Sequence, residues 1–248
     1  MLSYDNIRFD YDPFPIGLAA PAFKPDDYAE MVAGFPDLAA FKAKASKGSK
    51  YSLSRHNNAA AYRRHLRKFP IWRRFYDYIH DDAFLRATLV MLKAHNIDLG
   101  LEGLGIAQHL VLRAKALHKS SPQPHFPRLK ARFEFSAMPV AGGSIRPHTD
   151  HPQKIITLVI PILAPGEWNP AVGGGTSVVW PKDRTLSFNH VNDYLDFDQV
   201  DEVRTYPFAP NQCLIFVKTY NSWHAVWPMT GNDPDALRRT LTINIESS

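Results

Sequence analysis

The C-terminal half of this chain contains β-branched and aromatic runs separated by turn residues. Runs of this kind are typical of strands, and strands that recur at short intervals are typical of a sandwich or barrel. The predicted strands lie at 132–136, 154–161, 176–180, 212–217, 223–228 and 238–245. The front half instead has helical spacing at 26–32, 59–79 and 81–95, and Pro70 should kink or divide the second helix. Helices followed by strands predict an α+β fold in which the helices cover one face of a sheet.

Two histidines and an aspartate in the predicted β region have the composition and spacing of a metal site. His148 and Asp150 are separated by one residue, so on an extended strand both side chains point to the same face. His224, from a neighbouring strand, supplies the third ligand. Two imidazoles and one carboxylate leave one face of Fe(II) open, as a catalytic site requires. His151 alternates to the other face and is not expected to bind metal.

The order of these features resembles the Fe(II)/2-oxoglutarate-dependent oxygenases, and within them the prolyl 4-hydroxylase-like branch. The matching features are His148-Thr149-Asp150, a strand, the Gly173-Gly174-Gly175 turn, another strand, His224-Ala225-Val226, and an arginine before the last strand. The resemblance implies a double-stranded β-helix, or jelly roll, as the catalytic core over 129–248, with 1–128 as mainly helical support and loops. The length of 248 residues fits one such domain. By this resemblance His148, Asp150 and His224 would bind Fe(II), and a late arginine would bind the distal carboxylate of 2-oxoglutarate.

Strand alternation favours one of two adjacent arginines for the 2-oxoglutarate carboxylate. One face of the last predicted strand is polar and the other is apolar after its first residue: the polar set is Arg238, Thr240, Thr242 and Asn244, and the other is Arg239, Leu241, Ile243 and Ile245. The polar face should line the interior, so we expect Arg238 to offer its planar fork to the carboxylate. Arg239 remains the alternative, because the first residue of a strand can be out of register.

The resemblance implies a dioxygenase that hydroxylates an unactivated C–H bond of a small, polar or anionic substrate. Molecular oxygen and 2-oxoglutarate would be consumed, and succinate and carbon dioxide released. Related halogenases have a small residue in place of Asp150, so hydroxylation or a related oxidation is expected here instead of halogenation. Two alternatives stay open: a peptide or protein hydroxylase of the same superfamily, and a non-catalytic jelly-roll protein that uses metal only to hold a ligand.

Three positions depart from related patterns. Prolyl-hydroxylase-like members often have two tyrosines for 2-oxoglutarate, and Met138 and the Ile160-Pro161 pair stand in those places. Neither provides a hydroxyl, which weakens the case for peptidyl proline as the substrate. AlkB-like nucleic-acid demethylases have a second arginine six residues after the first, where this chain has Asn244. That difference argues against nucleic acid as a partner.

The sequence leaves the roles of several further residues open. Arg132, Glu134 and Ser136 share one face of a predicted strand and are candidate interior residues, opposite Phe133 and Phe135. Arg146 could contact substrate or form a structural ion pair. The proline-rich stretch at 122–127 is expected to form a loop near the mouth of the barrel.

The charge and the cysteine content limit the remaining choices of partner and cellular location. The net charge is +5 and the isoelectric point about 9.2. Basic residues cluster at Lys42, Lys44, Lys47 and Lys50; at Arg63, Arg64, Arg67, Lys68, Arg73 and Arg74; and at Lys115, Lys119, Arg128, Lys130 and Arg132. These clusters fit either a rim that attracts anions or solvated helix faces. The single cysteine, Cys213, excludes an intrachain disulfide, and neither a membrane span nor a secretory signal is visible, so a cytoplasmic location is expected.

Overall fold

The computed structural model describes residues 1–43, 50–100 and 129–247. Its helices are α1 (Pro25–Ala33), α2 (Ala59–Lys68), α3 (Pro70–Ile79) and α4 (Asp82–Ala94). Its strands are β1 (Arg8–Asp10), β2 (Ile16–Ala19), β3 (Lys42–Ala43), β4 (Tyr51–Leu53), β5 (Leu129–Pro139), β6 (Ile145–His148), β7 (Lys154–Pro161), β8 (Thr176–Pro181), β9 (Val200–Tyr206), β10 (Cys213–Val217), β11 (His224–Val226) and β12 (Leu237–Ser247). Within these ranges, every helix is too short or too polar to cross a membrane.

The described strands form two antiparallel sheets. The larger sheet has the order β1-β2-β10-β7-β12-β5-β4-β3, and the smaller has the order β9-β8-β11-β6. Side chains from the two sheets meet in one apolar cluster, in which Val178 of the smaller sheet joins Leu214 and Phe216 of the larger. The sequence prediction of an α+β fold with a jelly-roll core in the C-terminal half is confirmed.

The helices cover the outer face of the larger sheet. Phe133 and Phe135 of β5 point into this layer, where the Trp72 and Phe135 ring centroids lie 4.7 Å apart. Phe75 and Leu241 are fully buried in the same cluster. Removing one of these rings, as in Phe135→Ala, should cost about 3–5 kcal/mol of stability. Because side chains alternate along a strand, the residues between these apolar ones face the space between the two sheets.

Pro70 divides the helical stretch that the sequence predicted. It occupies the first turn of α3, where a proline's missing N–H is not needed. The basic side chains along α2 and the start of α3 face solvent: these are Arg63, Arg64, Arg67, Lys68, Arg73 and Arg74. Arg73 pairs with Asp77 and Arg74 with Glu30 across exposed surface. Their arrangement fits the interpretation of solvated helix faces.

Apart from the strands predicted above and the extended strand expected at His148, five strands were not predicted from the sequence. The front part of the chain contributes β1 to β4, of which β2 pairs with β10 and β4 pairs with β5. These strands have two to four residues each, which is too few for an alternating pattern to be recognised in the sequence. In β9 only the two terminal residues are buried, so its faces do not differ in polarity. The 122–127 loop and the basic residues Lys44, Lys47, Lys115, Lys119 and Arg128 lie outside the described residues.

Candidate metal centre

The three predicted metal ligands lie together and are buried. Each of His148, Asp150 and His224 offers a ligand atom, and these atoms lie within 4.8 Å of one another. Pairing of β11 with β6 sets His224 directly opposite His148. The His148 Nε2 atom lies 3.7 Å from Asp150 Oδ1, and the His224 Nε2 atom lies 4.0 Å from Asp150 Oδ2.

Backbone carbonyls orient both imidazoles. His148 Nδ1 lies 2.9 Å from the Arg146 carbonyl oxygen, and His224 Nδ1 lies 2.9 Å from that of Ser222. A carbonyl only accepts hydrogen bonds, so each Nδ1 donates, and Nε2 is the ring nitrogen available to a metal. Burial, reinforced by the neighbouring His148, lowers the pKa of His224 to about 3. His224 is therefore neutral at ordinary pH, as metal binding requires.

Asp150 reaches the site in a different way from the one its spacing predicted. β6 ends at His148, and Asp150 lies beyond it with a φ of 72°, in the left-handed region. Aspartate tolerates this conformation better than most residues. The backbone turn, and not continued strand alternation, therefore brings this carboxylate to the two imidazoles.

Two polar side chains hold the Asp150 carboxylate. Lys154 Nζ donates to Oδ1 at 2.5 Å, and Thr157 Oγ1 donates to Oδ2 at 2.9 Å. Burial would raise the pKa of Asp150, but the charge of Lys154 and the contact with His148 hold it well below its usual range. The donor set is thus two imidazoles and one ionised carboxylate, and this chemistry fits Fe(II) with one coordination face left open.

The metal centre opens into a cavity between the sheets. Its lining residues are Lys50, Arg132, Glu134, Ser136, Ala137, Met138, Ile145, His148, Asp150, Lys154, Thr157, Val159, Thr176, Phe216, His224, Ala225, Val226, Arg238, Thr240, Thr242 and Asn244. The predicted interior placement of Arg132, Glu134 and Ser136 is confirmed. Met138 lines the cavity without a hydroxyl, whereas Ser136, Thr240 and Thr242 place hydroxyl groups on the same walls.

Arg238 is a buried cation on the wall of this cavity. It is 4% exposed, its Nε donates to the Gly174 carbonyl at 2.6 Å, and its guanidinium lies 4.7 Å from the Phe208 ring centroid. Burial lowers the pKa of Arg238 to about 10, and no carboxylate among the described residues offsets that effect. Gly174 has a φ of +86°, and a Cβ there would lie 2.7 Å from Trp168, so only glycine suits this turn.

The two adjacent arginines point in opposite directions. Arg239 forms an ion pair with Glu167, and its guanidinium lies 5.5 Å from the Phe35 ring centroid, outside the cavity. Arg238, in contrast, lines the cavity together with Thr240, Thr242 and Asn244. The alternation argument therefore separated the two side chains correctly, and the binding of 2-oxoglutarate by Arg238 remains a prediction.

Several contacts around the ligands were not predicted. The Tyr194 ring stacks on His148 at a centroid distance of 5.3 Å and an angle of 15°. Lys218 Nζ donates to Thr149 Oγ1 at 2.9 Å. These partners come from distant loops, and no spacing in the sequence indicates them. Arg146 forms an ion pair with Asp196 at 2.8 Å, which favours the structural one of its two interpretations.

The comparisons with known proteins identify structural similarity but no close relative. No family model and no curated protein matches the chain. The non-haem α-ketoglutarate-dependent epimerase SnoN, from nogalamycin biosynthesis, aligns with a TM-score of 0.50 and 12% identity over 95% of this chain and 77% of that chain. HygX from Streptomyces hygroscopicus, solved with nickel and 2-oxoglutarate bound, aligns with a TM-score of 0.50 and 9% identity over 95% and 84%.

A prolyl-4-hydroxylase from Pseudomonas putida aligns with a TM-score of 0.48 and 14% identity over 96% of both chains. For SnoN and HygX, identities this low show a common fold and nothing finer. The chain therefore has the fold of SnoN and HygX, with His148, Asp150 and His224 grouped between its two sheets.

Proposed function

We propose that the chain is an Fe(II)- and 2-oxoglutarate-dependent dioxygenase that hydroxylates an unactivated C–H bond of a small, polar or anionic substrate. One observation carries this proposal: the buried set His148, Asp150 and His224 lines the same cavity as the buried cation Arg238, whose charge no carboxylate among the described residues offsets. A metal and a dicarboxylate would satisfy both features at once. The fold shared with SnoN and HygX supports the assignment.

In this proposal the Nε2 atoms of His148 and His224 and the carboxylate of Asp150 hold the iron. The hydrogen bonds from Nδ1 to backbone carbonyls orient both rings. Arg238 binds the distal carboxylate of 2-oxoglutarate, and its hydrogen bond to Gly174 fixes the guanidinium plane. Fe(II), 2-oxoglutarate and dioxygen together supply the oxidising chemistry, with release of succinate and carbon dioxide.

Oxygen-dependent succinate formation tests this function against the non-catalytic alternative. Purified protein would be incubated with Fe(II), 2-oxoglutarate and mixtures of candidate substrates, with and without oxygen. We expect wild type to form succinate only with oxygen, Asp150→Ala to lose this activity, and the exposed control Asp77→Ala to retain it. Metal-loaded wild type that forms no succinate with any mixture would favour the binding protein.

The peptide hydroxylase alternative differs in its substrate. Testing the mixtures as separate pools of free amino acids, sugars, organic acids and peptides distinguishes the two enzymes. We expect stimulation by a small-molecule pool. Stimulation by peptides alone would replace the small-substrate proposal with the peptide one.

A further inference from the structure

The guanidinium of Arg238 is held by two neutral partners. Its Nε donates to the Gly174 carbonyl at 2.6 Å, and its central carbon lies over the Phe208 ring, 4.7 Å from the centroid. A carbonyl oxygen and the face of an aromatic ring both attract a cation without carrying a formal charge. The positive charge of Arg238 therefore remains available to a ligand, because no carboxylate among the described residues offsets it.

Phe208 is itself fixed by packing behind the arginine. It lies buried in the segment between β9 and β10 and meets the half-buried Trp168 ring edge-on, at a centroid distance of 4.6 Å. Trp168 donates from Nε1 to the Gly173 carbonyl at 3.1 Å, next to the carbonyl of Gly174 that holds Arg238. A movement of the Phe208 ring would therefore disturb both Trp168 and the glycine turn.

The terminal edge of the guanidinium is the part left for a ligand. Nε donates to Gly174 and the Phe208 ring covers one face, whereas Nη1 and Nη2 have no protein partner among the described residues. Two parallel N–H donors in one plane match the two oxygens of a carboxylate. An acidic residue in place of Phe208 would neutralise the cation and compete for these donors. An aromatic ring does neither, although it still stabilises the charge.

We propose that Phe208 is a positioning residue for the co-substrate: its ring holds the terminal edge of Arg238 toward the cavity, where the distal carboxylate of 2-oxoglutarate binds. This inference rests on the proposed function and adds a residue that does not itself line the cavity. With leucine at this position the guanidinium would be free to take other orientations and to gain water. Both must be given up when the carboxylate binds, so binding should weaken.

A pair of 2-oxo acids isolates the effect on the distal carboxylate. 2-Oxopentanoate has a methyl group where 2-oxoglutarate has that carboxylate, and both chelate a metal through the same 2-oxo acid end. In Mn(II)-loaded protein, calorimetry measures the Kd of 2-oxoglutarate, and competition against it measures that of 2-oxopentanoate. We expect wild type to prefer 2-oxoglutarate at least about 100-fold. Phe208→Leu should reduce this preference about 5- to 30-fold and leave the Kd of 2-oxopentanoate within about twofold of wild type.

Further variants separate positioning from packing. Phe208→Tyr keeps an aromatic face and should keep the preference within about threefold of wild type. In the Arg238→Met background, adding Phe208→Leu should change the Kd of 2-oxoglutarate less than about twofold, because the ring acts only through the guanidinium. The matched control Phe197→Leu removes a ring that lies 4.9 Å from Trp227, outside the cavity, and should leave both Kd values unchanged. Thermal melting checks folding, and Phe208→Met carries the test if the leucine variant is unstable.

Three results would overturn the proposal. They are an unchanged preference in folded Phe208→Leu, an equal weakening of both 2-oxo acids, which indicates a general packing role, and an undiminished effect of the leucine in the Arg238→Met background. A wild-type preference that the leucine does not alter would leave the proposed function standing. Metal-loaded wild type that binds the two acids equally would instead reject Arg238 as the carboxylate partner in the proposed function, and this inference with it.

Discussion

Replacing Arg238 with methionine should have opposite effects on stability and on 2-oxoglutarate binding. Burial lowers the pKa of Arg238 from its ordinary value to about 10. The folded protein thus disfavours the charged form by about 3 kcal/mol at neutral pH. Losing the hydrogen bond to Gly174 costs about 1.5–3 kcal/mol in return. The metal-free Arg238→Met protein should therefore keep its free energy of unfolding or gain up to about 2 kcal/mol.

The same change should weaken 2-oxoglutarate binding strongly. A buried carboxylate that loses its cationic partner costs about 3–5 kcal/mol, which is about a 100- to 4000-fold increase in Kd. Urea denaturation measures the stability, and calorimetric titration of 2-oxoglutarate into Mn(II)-loaded protein measures the Kd. The two measurements together distinguish a charge that contributes to 2-oxoglutarate binding from one that contributes to folding stability.

Arg239→Met is the matched control for this experiment. Its partly exposed ion pair with Glu167 should contribute no more than about 1 kcal/mol, and its side chain lies outside the cavity. We expect its Kd for 2-oxoglutarate to match wild type. The reasoning is refuted if Arg238→Met binds 2-oxoglutarate within about threefold of wild type. A loss of several kcal/mol of metal-free stability in that variant would also contradict it.

Three further predictions concern the ligands and their partners. Lys154→Met leaves buried Asp150 without its countercharge, so the metal-free free energy of unfolding should fall by about 3–5 kcal/mol. Saturating Zn(II) should restore most of this loss. Equal losses with and without Zn(II) in urea denaturation would contradict the prediction. Thr157→Val keeps the side-chain shape but removes the hydrogen bond to Asp150, so metal binding should weaken about 10- to 100-fold. Competition with a chelating dye measures the metal affinity. An unchanged affinity would count against the contact. Because the pKa of His224 is about 3 in the folded protein and 6.5 ordinarily, the unfolded chain alone takes up this proton as the pH falls. Metal-free stability should therefore be lost between pH 6.5 and 3 by about 1.4 kcal/mol per pH unit, and His224→Gln should flatten this dependence; an identical slope in that variant would refute the assignment.

The features that could be predicted from the sequence are those that follow the regular alternation of polar and apolar side chains along a long strand. β12 has eleven residues with one polar and one apolar face, so its pattern separates Arg238 from Arg239 without knowledge of the fold. The same alternation placed Arg132 and Glu134 in the interior and Phe133 in the core. Short strands gave no such signal, which is why β1 to β4 were missed.

The contacts that could not be predicted depend on where loops from distant parts of the sequence pack against the site. Asp150 lies beyond the end of β6 in a left-handed conformation, so its approach to His148 follows from a turn that residue spacing does not specify. Tyr194 reaches the face of His148 from the segment between β8 and β9. Lys50 meets Glu134 across 84 positions of sequence. Such contacts are fixed by tertiary packing and leave no local pattern.

An anaerobic titration of the metal-free protein with Fe(II) and then 2-oxoglutarate tests the central claim most directly. The account predicts that a visible metal-to-ligand charge-transfer band develops in wild type when 2-oxoglutarate is added. The band should be lost in Asp150→Ala and should need far more 2-oxoglutarate in Arg238→Met. No band in folded wild type, or a band unaffected by either substitution, would contradict the assignment of this site.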